Sequence, residues 1–131
     1  LKYLKIPSSG NGYLMAEWHF FAAGPSKSNV RKRWTTGTEE ERQKIKKSIK
    51  VAVDWQKKTG IYTWVGAWMP GDYNKGDNYS VKEQIGFASF MTQQLDKYGV
   101  PFAIVADHHF YDYKAEQWIP KYKDLLNTIF M

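Results

Sequence analysis

The sequence predicts an α/β fold built on a parallel sheet, and three observations lead there. A strand-like run followed by an amphipathic helical pattern occurs three times within 131 residues. The runs are apolar almost throughout, as strands covered on both faces are, instead of alternating. The connections are unequal, short from helix to strand and long from strand to helix. The three βα units fall at about 13–60, 61–99 and 100–131.

The first unit opens with Tyr13 to Phe21, "YLMAEWHFF", and a Gly-Pro loop follows it. Thr38 then starts a helix: "TEEE" puts Glu41 three residues after the threonine, a capping box with acids in the positively polarised first turn. Ile45, Ile49 and Ala52 recur at helical spacing, Trp55 extends that stripe, and Gly60 stands where a C-terminal cap belongs. The second unit runs from Ile61 to Met69 and then through a loop rich in Gly, Asp and Asn. Its helix begins at "SVKE", a second capping box from Ser80 to Glu83, and Val81, Ile85, Ala88, Met91 and Leu95 form the predicted stripe up to Gly99. The third unit begins with "VPFAIVAD" at Val100 and continues as a loop from His108 to Gln117. Its helix starts near Pro120, a residue suited to a first helical turn, with Leu125, Leu126 and Ile129 inward.

Composition narrows the function. Aromatic content is 17%, with six Trp and nine Tyr, which rules out a disordered chain and favours stacking on sugars or bases. There is no cysteine, so neither a disulfide framework nor a Cys-based zinc site is available. The net charge of +6 raises nucleic acid as a partner. The charge is concentrated in Arg31, Lys32 and Arg33 and along the first helix, where Glu39, Glu40, Glu41 and Asp54 interleave, as on a mixed solvated face. No RNP-type, KH or helix-turn-helix signature is present, and no nucleic-acid partner is expected. No apolar run has the length of a membrane span. No strand is followed by G-x-G-x-x-G, and "GPSKS" lacks the spacing and the Gly-Lys of a P-loop.

Long loops after parallel strands are where α/β proteins build their sites. In these positions "LMAEWHFFAAGPS", "TGIYTWVGAWMPGDYNKGDNYS" and "GVPFAIVADHHFYDY" together resemble the last three βα units of a glycoside hydrolase family 5 cellulase. The resemblance runs from about Tyr13 to the end of the chain. It implies three βα units of a (β/α)8 TIM-type barrel, that is, a partial barrel, in a secreted endo-β-1,4-glucanase. It also implies a retaining mechanism with two glutamates, at the ends of the fourth and seventh strands. A His-x-Tyr element on the sixth strand and a Trp on the eighth would assist them. On that correspondence His19 matches the sixth-strand histidine and Phe21 stands where tyrosine is usual. Ala67, after Gly66 in "VGAW", holds the nucleophile position. Val105 lies near the eighth-strand Trp, and the acid/base strand belongs upstream of this chain.

Retaining hydrolysis needs two carboxyl groups about 5–5.5 Å apart. Ala67 supplies none, so the chain alone is expected to be inactive. Three other carboxylates lie near these strand ends in sequence. Glu17 lies two residues before His19 and points the same way on a strand, as a supporting partner or a member of a buried ion pair. Asp107 ends the third strand, and Asp72 follows Trp68 in a loop where aspartate often forms turns. Asp107, His108, His109 and Asp112 are residue types that bind metals. Adjacent histidines on an extended chain point apart, so no metal or other cofactor is expected. The wall of a sugar cleft is assigned to His19, Phe21, Trp68, Asp72, Asp107 and His109. Trp68 is placed with Tyr73, Tyr79, Phe110, Tyr111 and Tyr113 among aromatics at loop ends.

Two further expectations concern partners. The ligand is a β-glucan oligosaccharide or polysaccharide, with a non-catalytic carbohydrate-binding or structural half-barrel as the alternative role. Three strands cannot close a barrel. Strand parity puts Met15, Val65, Ala103 and Val105 on one face and Leu14, Trp64, Phe102 and Ile104 on the other, and three helices cover only one of these faces. A homo-oligomer or a complementing barrel half is therefore expected.

Overall fold

The computed structural model describes residues 3–8, 12–21, 33–71, 79–106 and 108–131, all but residue 21 with their side chains. Strands β1 (Met15–Phe21), β2 (Tyr62–Met69) and β3 (Phe102–Ile104) form one parallel sheet in the order β1-β2-β3. Helix α1 (Glu39–Thr59) crosses from β1 to β2, and α2 (Val81–Lys97) from β2 to β3. The class is α/β with parallel β-α-β units, as the sequence predicts.

Both crossover helices begin at their capping boxes. Thr38 Oγ1 accepts from the Glu41 amide at 3.3 Å, and Glu41 Oε2 accepts from the Thr38 amide at 2.9 Å. Partial burial pushes the Glu41 pKa up, but hydrogen bonds from the Thr35 hydroxyl and the Thr38 and Gly37 amides outweigh it. The net shift is below the ordinary glutamate value. Ser80 and Glu83 repeat the box at α2, with the Ser80 amide donating to Glu83 Oε2 at 2.7 Å. Gly60 closes α1 at φ 71°, a left-handed conformation natural to glycine.

The α2 stripe is rotated from the predicted one. Gln84, Phe87, Ala88, Met91 and Leu95 are buried, while Val81 and Ile85 sit at its margin. An aromatic cluster draws Phe87 inward: it stacks on Phe20 (centroids 6.2 Å apart) and meets Trp34 and Trp68 edge-on at 5.8 and 5.9 Å. The third unit is also richer than predicted. The segment read as a loop contains a short antiparallel hairpin, β4 (Tyr111–Asp112) with β5 (Gln117–Trp118). Asp112 Oδ1 tightens its turn by accepting from the Lys114 and Ala115 amides at 2.9 and 3.1 Å. A 3₁₀ turn at Pro120–Tyr122 then leads into α3 (Lys123–Phe130), with Leu125, Leu126 and Ile129 buried.

The register of the sheet slips at one residue. Trp18 opposes Val65 but His19 opposes Ala67, which leaves Gly66 as an extra residue in β2. The same slip appears towards β3, where Val65 opposes Phe102 and Trp68 opposes Ile104. A bulge shifts which face each later side chain takes. Val65 and Trp68, three residues apart, therefore both point to the helices and are 0% exposed. Two expected face assignments fail before the bulge, through the register between strands: Met15 pairs with Tyr62 and lies opposite Val65, and Phe102, expected with Trp64, pairs with Val65. Ala16, Trp18 and Phe20 of β1 share the helix side, while Met15, Glu17 and His19 point the other way.

No described helix covers that second face. Met15 is 51% exposed and Tyr62 66%. On the far surface of α1 the lysines are interleaved with acids: Lys44 pairs with Glu40 at 2.6 Å and Lys50 with Asp54 at 2.7 Å. Among the described residues no helix is long and apolar enough to cross a membrane.

Candidate functional site

The carboxyl ends of β1 and β2 bring His19 and Ala67 together as register partners on adjacent strands. His19 is on the face that the helices leave open, and Ala67 beside it is partly buried and packs against the apolar core. His19 is half exposed, and its Nε2 donates to Glu17 Oε1 at 2.7 Å, two residues earlier on the same strand. The pleat accounts for this, since residues i and i+2 of a strand lie on one side. Glu17 is thus the partner of His19 that strand parity predicts.

Gly66 makes the arrangement possible. A Cβ built on it would lie 1.8 Å from Glu17 Oε1, 2.2 Å from Cδ and 2.4 Å from Cγ. The Glu17 side chain therefore occupies the space that a β2 side chain at position 66 would take. Two small residues, Gly66 and Ala67, leave the strand tip without functional groups of its own, and a carboxylate from β1 lies across it. Trp64, the register partner of Glu17, flanks it on the same face and is partly exposed.

The structure relocates other predicted site residues. Trp68 does not line the open face: it is fully buried, edge-on to Phe87 and to Phe102 (centroids 5.7 Å apart). The bulge at Gly66 is the reason, because it turns Trp68 to the helices. Of the other aromatics expected at loop surfaces, Tyr79 and Phe110 are also buried, whereas Tyr113 is 67% exposed. His109 lies in the turn before β4 with its ring centroid 4.4 Å from that of His108. The two do not point apart as they would on a strand, because this stretch is a turn. Among the described residues no group of three or more His, Cys, Asp or Glu could hold a metal. Val105 continues the β3 side of the sheet, its amide donating to the Trp68 carbonyl at 2.9 Å. Asp72, Tyr73, Asp107 and the side chain of Phe21 lie outside the described residues.

Solved structures share this arrangement of strands and helices over the whole chain. The clostridial cellulose synthase subunit Z (CcsZ) of Clostridioides difficile superposes with a TM-score of 0.76 and 16% identity, covering 100% of this chain and 44% of its own. The fold resembles part of a family 5 glycoside hydrolase barrel. Cel5A of Thermotoga maritima, solved with mannotriose, matches at TM-score 0.70 and 17% identity over 98% of this chain and 43% of its own. A family 5 lichenase from Caldicellulosiruptor sp. F32, in an E188Q mutant complex with cellotetraose, matches at 0.71 and 16% over 98% of this chain and 38% of its own. The chain thus spans less than half the length of each of these relatives. No family model and no curated protein sequence matches it.

Proposed function

We infer that this chain is the C-terminal part of a family 5-type glycoside hydrolase barrel whose strand ends, around His19, take β-1,4-glucan. In this reading it does not hydrolyse its ligand when alone. The observation that carries the reading is the pairing of His19 with Ala67 at the strand ends of a partial barrel. A histidine is present where the family resemblance calls for one, and an alanine stands where the nucleophile would be. The complexes of the structural relatives with cellotetraose and mannotriose support a β-linked sugar as the ligand class. Secretion, and assembly with a complementing barrel half or a second copy, belong to the same reading.

A non-catalytic carbohydrate-binding role is the second reading. It is favoured by the Glu17 carboxylate lying where a β2 side chain would otherwise project. Both readings are tested by calorimetric titration with cellotetraose. Binding is expected to survive high salt, because the contacts are hydrogen bonds and ring stacking, and to weaken about tenfold in His19→Ala. Affinity for duplex DNA should fall steeply with salt. Sequence-selective DNA binding at physiological salt, with no response to cellotetraose, would contradict both readings.

A further inference from the structure

We propose that Glu17 is a glycan-contacting carboxylate of this chain, supplied by β1 to the place where the tip of β2 offers no functional group. Three observations carry it. Its Oε1 holds His19 Nε2 at 2.7 Å, which fixes the position of the imidazole and leaves the second carboxylate oxygen, Oε2, to accept from a ligand. Its side chain lies across Gly66 so closely that no other residue fits there without moving it. Its register partner is Trp64, an aromatic ring partly exposed on the same face.

The chemistry of that set selects the ligand. A carboxylate accepts strongly from hydroxyl groups, and an amphipathic ring covers the apolar face of a pyranose. An imidazole held by the carboxylate adds a polar group whose orientation is fixed before the ligand arrives, so less ordering is needed on binding. A single carboxylate beside one histidine is a poor cation site, since it offers too few hard ligands for Ca²⁺ or Mg²⁺. A neutral polyol with adjacent hydroxyls fits better, and a glucose-type ring supplies both the hydroxyls and the apolar face. The small residues at 66 and 67 acquire a purpose on this account. They make room for a carboxylate that arrives from the neighbouring strand.

The proposal rests on the glucan reading above, and its test separates the two. Cellotetraose is titrated into the chain and into Glu17→Gln, Glu17→Asp and Gly66→Ala, with circular dichroism confirming the fold of each. Glu17→Gln removes the charge but keeps the shape. Glu17→Asp keeps the charge and withdraws it by one methylene. Gly66→Ala leaves both intact and displaces the Glu17 side chain. Each is expected to weaken binding about tenfold, and each should shift the ring nitrogen resonances of His19. Unchanged affinity in Glu17→Gln and Glu17→Asp, with the His19 resonances shifted, would show a purely structural pair and overturn the proposal. If the unsubstituted chain fails to bind cellotetraose at millimolar concentration, the glucan reading itself falls, and the proposal with it.

Discussion

Incubated with soluble β-1,4-glucan, the purified chain is expected to release no reducing ends above a blank. Retaining glycosidases work with two carboxyl groups flanking the scissile bond, one attacking the anomeric carbon and one handling the proton. At the tip of β2, beside His19, the side chain is the methyl group of Ala67. Removing a nucleophile is among the most costly changes an active site can undergo, on the order of 10⁶ in kcat for a serine protease. Glu17 does not repair this. Its carboxylate is tied to His19 and lies over Gly66, and a single carboxyl group cannot act as nucleophile and proton donor to the same bond. Reducing-sugar release well above the blank, abolished in Glu17→Gln or Asp107→Asn, would reveal a catalytic pair of a different kind.

The second large effect is on stability. Trp68→Ala is expected to cost about 3–5 kcal/mol, a large share of the roughly 5–15 kcal/mol that holds a domain together. The ring is 0% exposed and shares an aromatic cluster with Phe87 and Phe102 that joins α2 to β3. Its removal leaves a cavity in the apolar layer between α2 and the sheet. Denaturant titration measures this directly. A loss of sugar affinity in Trp68→Ala with stability within about 1 kcal/mol of the parent would mean that Trp68 faces the ligand instead of the helices.

The contrast between Trp68 and Glu17 shows what the sequence makes legible. Helices α1 and α2 could be read because their signals are local: each capping box involves a residue and its third neighbour, and each stripe repeats within one element. The parallel order followed from the apolar strands and the crossover lengths. The relation of Glu17 to His19 was also readable, since strand parity acts over two residues and no irregularity separates them. Trp68, read as a loop-end aromatic, is buried because the bulge at Gly66 turns its ring to the helices. The signal was present in Gly66, as an isolated glycine within an aromatic strand marks a bulge or a close backbone approach. The hairpin β4-β5 was not readable, because strands of two residues carry no periodicity. Its clue was Asp112, whose side chain closes the turn. The adjacency of the His108 and His109 rings had no sequence signal at all, since it depends on the backbone turning there.

As one part of a barrel, the chain is expected to have its uncovered sheet face shielded by a further element. Met15 and Tyr62 lie on that face at the amino ends of β1 and β2, away from the strand ends that hold Glu17 and His19, and no described helix shields them. At about 25 cal/mol per Å², covering a few hundred Å² of apolar surface contributes several kcal/mol, enough to drive association. Sedimentation equilibrium tests this most directly. The account predicts a mass that is a multiple of the 15.3 kDa chain, or a chain that stays in solution only when a complementing barrel half is supplied. A compact 15.3 kDa monomer persisting at millimolar concentration, with slowly exchanging amides in all three parallel strands, would contradict it.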